Sequence, residues 1–212
     1  MRTITAVEVQ RGNRERVNLH LDGCYAFSVD LAIALEANLS VGQPLADEDL
    51  AELTREDETR RCYDAALRFL GYRPRSSTEV RQRLRQRGWA TVVVDVVVHR
   101  LEEKRLIDDT AFASLWLENR RTFKPSSERI IRLELRQKGI DAETIEEMVA
   151  DLDETEAAYA AGKKKSRSLA GCDAGQFRQR LGAFLQRRGF DHEHVTTAVT
   201  RLWQERDLPG QM

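Results

Sequence analysis

Apolar and polar residues alternate along the first thirty positions. ITAVEVQ and RVNLHLDGCYAFSV repeat with a period of two, the mark of half-buried strands. Gly12–Asn13 is expected to turn the chain between the first two strands, and Asp22–Gly23 is a hairpin signal between RVNLHL and CYAFSV. Short helices are expected at Asp30–Ala37 and Asp47–Leu53, separated by a break at VGQPL. From Asp57 onward the period becomes helical.

The helical part repeats itself. LRQRGW (Leu84–Trp89), LRQKGI (Leu135–Ile140) and LQRRGF (Leu185–Phe190) align on Gly88, Gly139 and Gly189. Apolar residues then match at six offsets in all three copies: Val80, Ile131 and Leu181; Leu84, Leu135 and Leu185; Trp89, Ile140 and Phe190; Val94, Ile145 and Val195; Val98, Val149 and Val199; Leu101, Leu152 and Leu202. These steps of three and four place one apolar stripe on a helix that ends at the glycine and one on the helix after it. A further helix precedes each pair, at Tyr63–Leu70, Thr110–Arg121 and roughly 155–168. TVVVDVVVHRL (Thr91–Leu101) reads locally as a strand. The repeat makes it a helix, because Val94, Val98 and Leu101 take core offsets and packing overrides propensity. Its extra valines imply burial over a broad face.

The expected fold class is mainly α. Three tandem three-helix repeats form an elongated, curved array, joined to a small N-terminal element containing a β-hairpin. The divisions are 1–56 for the β-rich element and 57–108, 109–154 and 155–212 for the repeats.

Composition narrows the function. Hydrophobic residues make up 41% and charged residues 33%, a globular mixture without an apolar run of the roughly 20 residues a membrane span needs. Three cysteines, odd in number and without a CxxC pair, fit a reducing compartment and argue against a disulfide framework or structural zinc. A cytoplasmic protein is expected, since Met1–Arg2–Thr3 leads into no signal-peptide core. The net charge of −1 conceals bands of −5 over 1–62, +4 over 63–108, −4 over 109–154 and +4 over 155–212.

Catalytic motifs are missing: there is no GxxxxGK[ST], GxGxxG or GxSxG. An enzyme is not expected, and no cofactor is implied. His192 and His194 are two apart and point in different directions on a helix. Asp108–Asp109 has two readings, a metal carboxylate pair or a cap on the helix opening at Thr110; capping is favoured.

The basic residues carry more. On the helix ending at Gly88, Arg81 and Arg85 lie about 100° to one side of the apolar stripe, with Arg83 and Arg87 on the other. Arg132 and Arg136 keep the first flank in the second copy, with Glu134 and Lys138 on the other. In the third copy Gly182 and Gln186 replace the first-flank arginines, leaving Arg187 and Arg188; Lys163–Lys164–Lys165 and Arg167 form a run one helix earlier. Cations beside a terminal glycine are accounted for by the helix dipole and the left-handed stop. Arg81 and Arg132 are too far from the helix end for that and make the stronger case for a binding surface. Such arginines suit either phosphates or acidic protein surface. Pro74 and Pro125 stand fourteen residues before their glycines, with Ser76 (in an S-x-x-E box with Glu79) and Ser127 as expected caps. Asp173 takes that place in the third copy.

AALRFLGYRPRSSTEVRQRLRQRGW, then LEEKRLIDDTAFASLWLENR, ELRQKGI and FLQRRGF, are similar to the RecX regulatory protein family over about residues 60–205. The N-terminal strands resemble the extension of its longer members. The resemblance implies a fold of three three-helix repeats and no catalytic residues. It implies a protein that binds RecA recombinase filaments and limits their assembly or persistence on single-stranded DNA, and with them ATP hydrolysis, strand exchange and SOS co-protease activity. The family's basic character falls here on Arg75, Arg81, Arg85, Arg132 and Arg136, and on Arg87, Lys138, Arg187 and Arg188 before the glycines. A monomer is expected, with RecA as partner and single- or double-stranded DNA as a second one. The alternative is a helical repeat module that binds nucleic acid on its own, which the acidic bands disfavour.

Overall fold

The computed structural model describes residues 1–207; positions 208–212 of the third expected repeat lie outside the described residues. The chain divides into two compact units, one of residues 1–74 and 80–106, the other of residues 75–79 and the chain from Ile107 onward.

The first unit opens with an antiparallel sheet of β1 (Arg2–Val9), β2 (Arg16–Leu21), β3 (Cys24–Asp30) and β4 (Pro44–Leu45), in the order β3-β2-β1-β4. Strict alternation in β2 buries Val17, Leu19 and Leu21. Asp22 and Gly23 both take left-handed φ, 52° and 83°, as a two-residue hairpin requires. The expected break at VGQPL contributes β4, which pairs with β1. Asp30 caps α1 (Leu31–Glu36).

The two helices expected at Asp47–Leu53 and Tyr63–Leu70 are one, α2 (Asp47–Leu70), which runs unbroken for 24 residues. The joining stretch, TREDETRR, lacks an apolar period. It is held by a buried residue, Asp57, which is 5% exposed. Asp57 receives both Arg16 guanidinium nitrogens at 3.0 Å and the Asp30 amide at 2.8 Å. A buried carboxylate persists only when so satisfied, and here it ties α2 to the sheet. After α3 (Ser77–Gln86) comes α4 (Thr91–Glu103), the valine-rich segment, which is helical and buries Val93, Val94, Val97, Val98 and Leu101. It packs on α2.

The second unit holds α5 (Asp109–Phe123), α6 (Glu128–Gln137) and α7 (Ala142–Val149), then α8 (Glu154–Ser166), α9 (Ala174–Arg187) and α10 (His192–Asp207). Each trio encloses its own core, centred on Ile131, Leu135 and Ile145 in the first and on Leu181, Leu185 and Phe177 in the second. The fold is thus mainly helical, with three three-helix units following a small sheet along the chain. Of the six matched apolar offsets, every residue is buried except Trp89 and Leu152, which are half-buried. Gly88, Gly139 and Gly189 end their helices at φ +88°, +78° and +90°, a conformation that costs glycine nothing.

Candidate functional site

The helix starts explain what the glycines face. The Glu79 amide donates to Ser76 Oγ at 3.2 Å and the Ile130 amide to Ser127 Oγ at 3.3 Å, so both serines cap as expected. Asp173 caps α9 and Asp108 caps α5. Asp109 does something else: its carboxylate accepts the Ser77 amide at 2.8 Å and the Ser77 hydroxyl at 2.6 Å. Ser76 Oγ in turn donates to the Lys138 carbonyl at 2.6 Å. The segment Arg75–Glu79 is thereby seated on the Gly139 turn. The same joint recurs where Ser127 meets the Gly189 turn. The Ser127 amide donates to the Arg188 carbonyl at 3.1 Å, and Glu154 accepts the Glu128 amide. A Cβ on Gly139 would stand 2.0 Å from Thr78 Oγ1, and one on Gly189 2.3 Å from Ser127 Oγ. These two glycines are therefore needed twice, for backbone conformation and for close approach.

The joints engage two of the candidate cations. Lys138 Nζ pairs with Glu79 at 2.7 Å and lies 5.1 Å from the centre of the Trp116 ring. Arg188 donates to the Pro125 carbonyl at 2.9 Å; burial first, and then the nearby Arg120, pushes its pKa down. Arg75 is half-buried at the start of the seated segment.

The upstream arginines also meet partners. Arg81 lies 3.5 Å from both Asp95 and Glu102, and Arg85 3.7 Å from Asp95. Arg132 pairs with Glu146 at 2.8 Å and with Glu128; its guanidinium holds the Glu146 carboxyl below the usual range. Arg81 and Arg132 stand seven residues before their glycines, Asp95 and Glu146 seven after. In the third copy both positions change together, to Gly182 and Thr196. The upstream arginines thus have a task inside the first two repeats, clamping the middle helix to the last one. The acid at the mirrored offset was the signal in the sequence that reveals it.

Arg87, Arg136 and Arg187 are exposed, as is Arg85, whose side chain retains 49% of its accessibility. Arg85, Arg136 and Arg187 sit in the last turns of α3, α6 and α9, and Arg87 directly follows α3. Lys163 lies over the Tyr159 ring and Lys164 donates to the Thr122 carbonyl. The histidine pair resolves into one participant. His194 Nδ1 is 2.7 Å from Asp191 and 3.5 Å from Glu154, and these three groups lie within 4.8 Å of one another. Asp191 caps α10 through the His194 amide, and Glu154 serves the joint. Among the described residues, no helix is long and apolar enough to cross a membrane.

Comparison with known proteins follows the same divisions. The description "Regulatory protein RecX N-terminal domain" matches residues 2–46. The first, second and third three-helix domains of RecX match 62–101, 108–149 and 152–199. The chain is 32% identical to "Regulatory protein RecX" of Bacillus subtilis (strain 168), over 96% of this chain and 78% of that one. It is 30% identical to the protein of that name from Clostridium tetani, over 94% of each. In fold it is similar to a solved structure titled "Crystal structure of regulatory protein RecX", with a TM-score of 0.73 and 24% identity over 93% of this chain and 98% of the other. A second, "Crystal structure of RecX from Lactobacillus salivarius", aligns with a TM-score of 0.60 and 21% identity over 70% and 99%. With its N-terminal sheet and three helical units all matched in order, the chain belongs to the RecX regulatory protein family.

Proposed function

We propose that this chain is a non-enzymatic, cytoplasmic regulator that binds RecA recombinase filaments and restrains their assembly on single-stranded DNA. The ordered match of the whole chain to the RecX domains carries this reading. The cations that retain exposure, Arg85, Arg87, Arg136 and Arg187, supply contacts suited to acidic protein surface or to phosphates. Arg81 and Arg132 hold α3 and α6, which present Arg85, Arg87 and Arg136. Several modest contacts made by one chain to successive subunits gain effective concentration from their linkage, so restraint requires no covalent step.

The test is RecA ATP hydrolysis on single-stranded DNA as this protein is titrated in, alongside its affinity for the same DNA alone. Inhibition below one protein per RecA, without tight DNA binding, is the expected result. Charge reversal of Arg85, Arg87 and Arg136 together should weaken inhibition while helicity stays unchanged. Inhibition at full strength from that variant would remove the arginines from the interface.

A further inference from the structure

The two joints of the second unit define a socket and a plug. The socket has three parts: a left-handed glycine with no room for a Cβ, the carbonyl of the residue before it, and an acidic side chain at the start of the first helix in the same repeat. Gly139, Lys138 and Asp109 make one; Gly189, Arg188 and Glu154 make the other. The plug is the opening turn of a helix capped by serine and preceded by proline: Pro74 with Ser76–Ser77, and Pro125 with Ser127–Glu128. An orphan amide of each plug meets the carboxylate, and the carbonyl accepts the Ser76 hydroxyl in one joint and the Ser127 amide in the other, so the helix start is satisfied by its seat.

The first unit carries the same three socket parts and holds no plug among the described residues. Gly88 is left-handed at φ +88°, and nothing lies within 4 Å of the position its Cβ would take. Arg87 supplies the carbonyl and is exposed, where Lys138 and Arg188 are half-buried. Glu58 supplies the acid, here from inside the continuous α2 and not from the start of a helix. It stands thirty residues before Gly88, as Asp109 stands before Gly139. It also precedes the fully buried Cys62 by four residues, as Asp109 and Glu154 precede the equally buried Ala113 and Ala158. Glu58 and Gly88 line one cleft of about 540 Å³, walled on the sheet side by Tyr25 and Phe27. Tyr25 is 58% exposed, and Trp89, which also lines the cleft, is half-buried where its counterparts Ile140 and Phe190 are buried.

A second copy of this chain fits the vacancy poorly. The plugs of α3 and α6 are seated already. The remaining start, at α9, has neither proline nor serine and presents the Asp173 carboxylate as its cap, which Glu58 would repel. We infer that the Gly88 turn, with Glu58, is a docking socket for the serine- or threonine-capped opening turn of a helix on another protein. This goes beyond the RecA reading and does not rest on it, because it specifies the chemistry of the partner's contact and not the partner.

The probe is the chain's own plug, a synthetic peptide of residues 73–87, titrated into the isotope-labelled full-length protein and followed by NMR. Saturable shifts centred on Gly88, the Trp89 indole and Glu58 are expected. Glu58→Lys should weaken binding at least about tenfold, the scale of one charge-assisted hydrogen bond, with an unchanged circular dichroism spectrum. A peptide with alanine at both serines should lose as much against the unaltered protein. The inference is overturned if no saturable shift reaches Gly88, if Glu58→Lys binds undiminished, or if the shifts fall on the Gly139 turn instead. A dimer of the full chain that buries the Gly88 turn would overturn it as well, by making a second copy the occupant.

Discussion

Gly88 and Gly139 look interchangeable in sequence and are not so in space. Both are left-handed, which alone makes alanine about 1–2 kcal/mol worse. At Gly139 the new methyl would also lie 2.5 Å from Thr78 Cβ, a clash that rotating the side chain cannot relieve. Gly139→Ala is therefore expected to cost about 2–5 kcal/mol, adding the usual overpacking range, and Gly88→Ala only about 1–2 kcal/mol. Denaturation midpoints check this, and equal losses would mean that Arg75–Glu79 is not seated there. The cysteines separate in the same way. Cys62 is buried, and burial, with Glu58 second, pushes its thiol up to about 11, whereas Cys24 is exposed. Since the thiolate is the reactive form, Cys24 should react with a thiol reagent at pH 8 while Cys62 stays silent until the protein unfolds.

At the scale of elements, the repeating helices were legible because each buries one face against its own neighbours, and that burial is written as spacing. The joints were not, because their partners are remote: Ser76 and Lys138 are 62 positions apart. The continuity of α2 was hidden by a polar stretch whose one buried member, Asp57, finds Arg16 in β2, 41 positions away. Arg81 and Arg132 suggested a binding surface because the acids that hold them stand on the following helix. The candidate site was legible as a set of residue types, and less so as a set of available charges. Caps supply a pH test at this scale. Asp141 accepts the Thr144 amide at 2.8 Å, and that bond, followed by the one from the Thr144 hydroxyl, holds its carboxyl below the ordinary value. A lowered folded-state pKa stabilises above the unfolded value of about 3.9 and is lost as pH falls through the folded one. Asp141→Ala should thus destabilise at pH 7, with the difference from the parent closing in strong acid. A constant difference down to the lowest pH would contradict the cap's ionised role.

For the molecule as a whole, near-neutral net charge and alternating bands limit what electrostatics can do. If the exposed Arg85, Arg87, Arg136 and Arg187 are the cations that meet phosphates, about four counterions are released on duplex DNA. The slope of log affinity against log salt should then be no steeper than about −4. A much steeper slope would favour direct nucleic-acid binding over a protein interface. The joints carry one more consequence, for how such chains grow by duplication. A copied repeat with both plug and socket would fit behind its parent at once, with no new interface to invent. The third repeat has kept the socket and lost the serine plug, so a copy placed after it would find no plug to receive. Lengthening is open only from the end that bears Gly88.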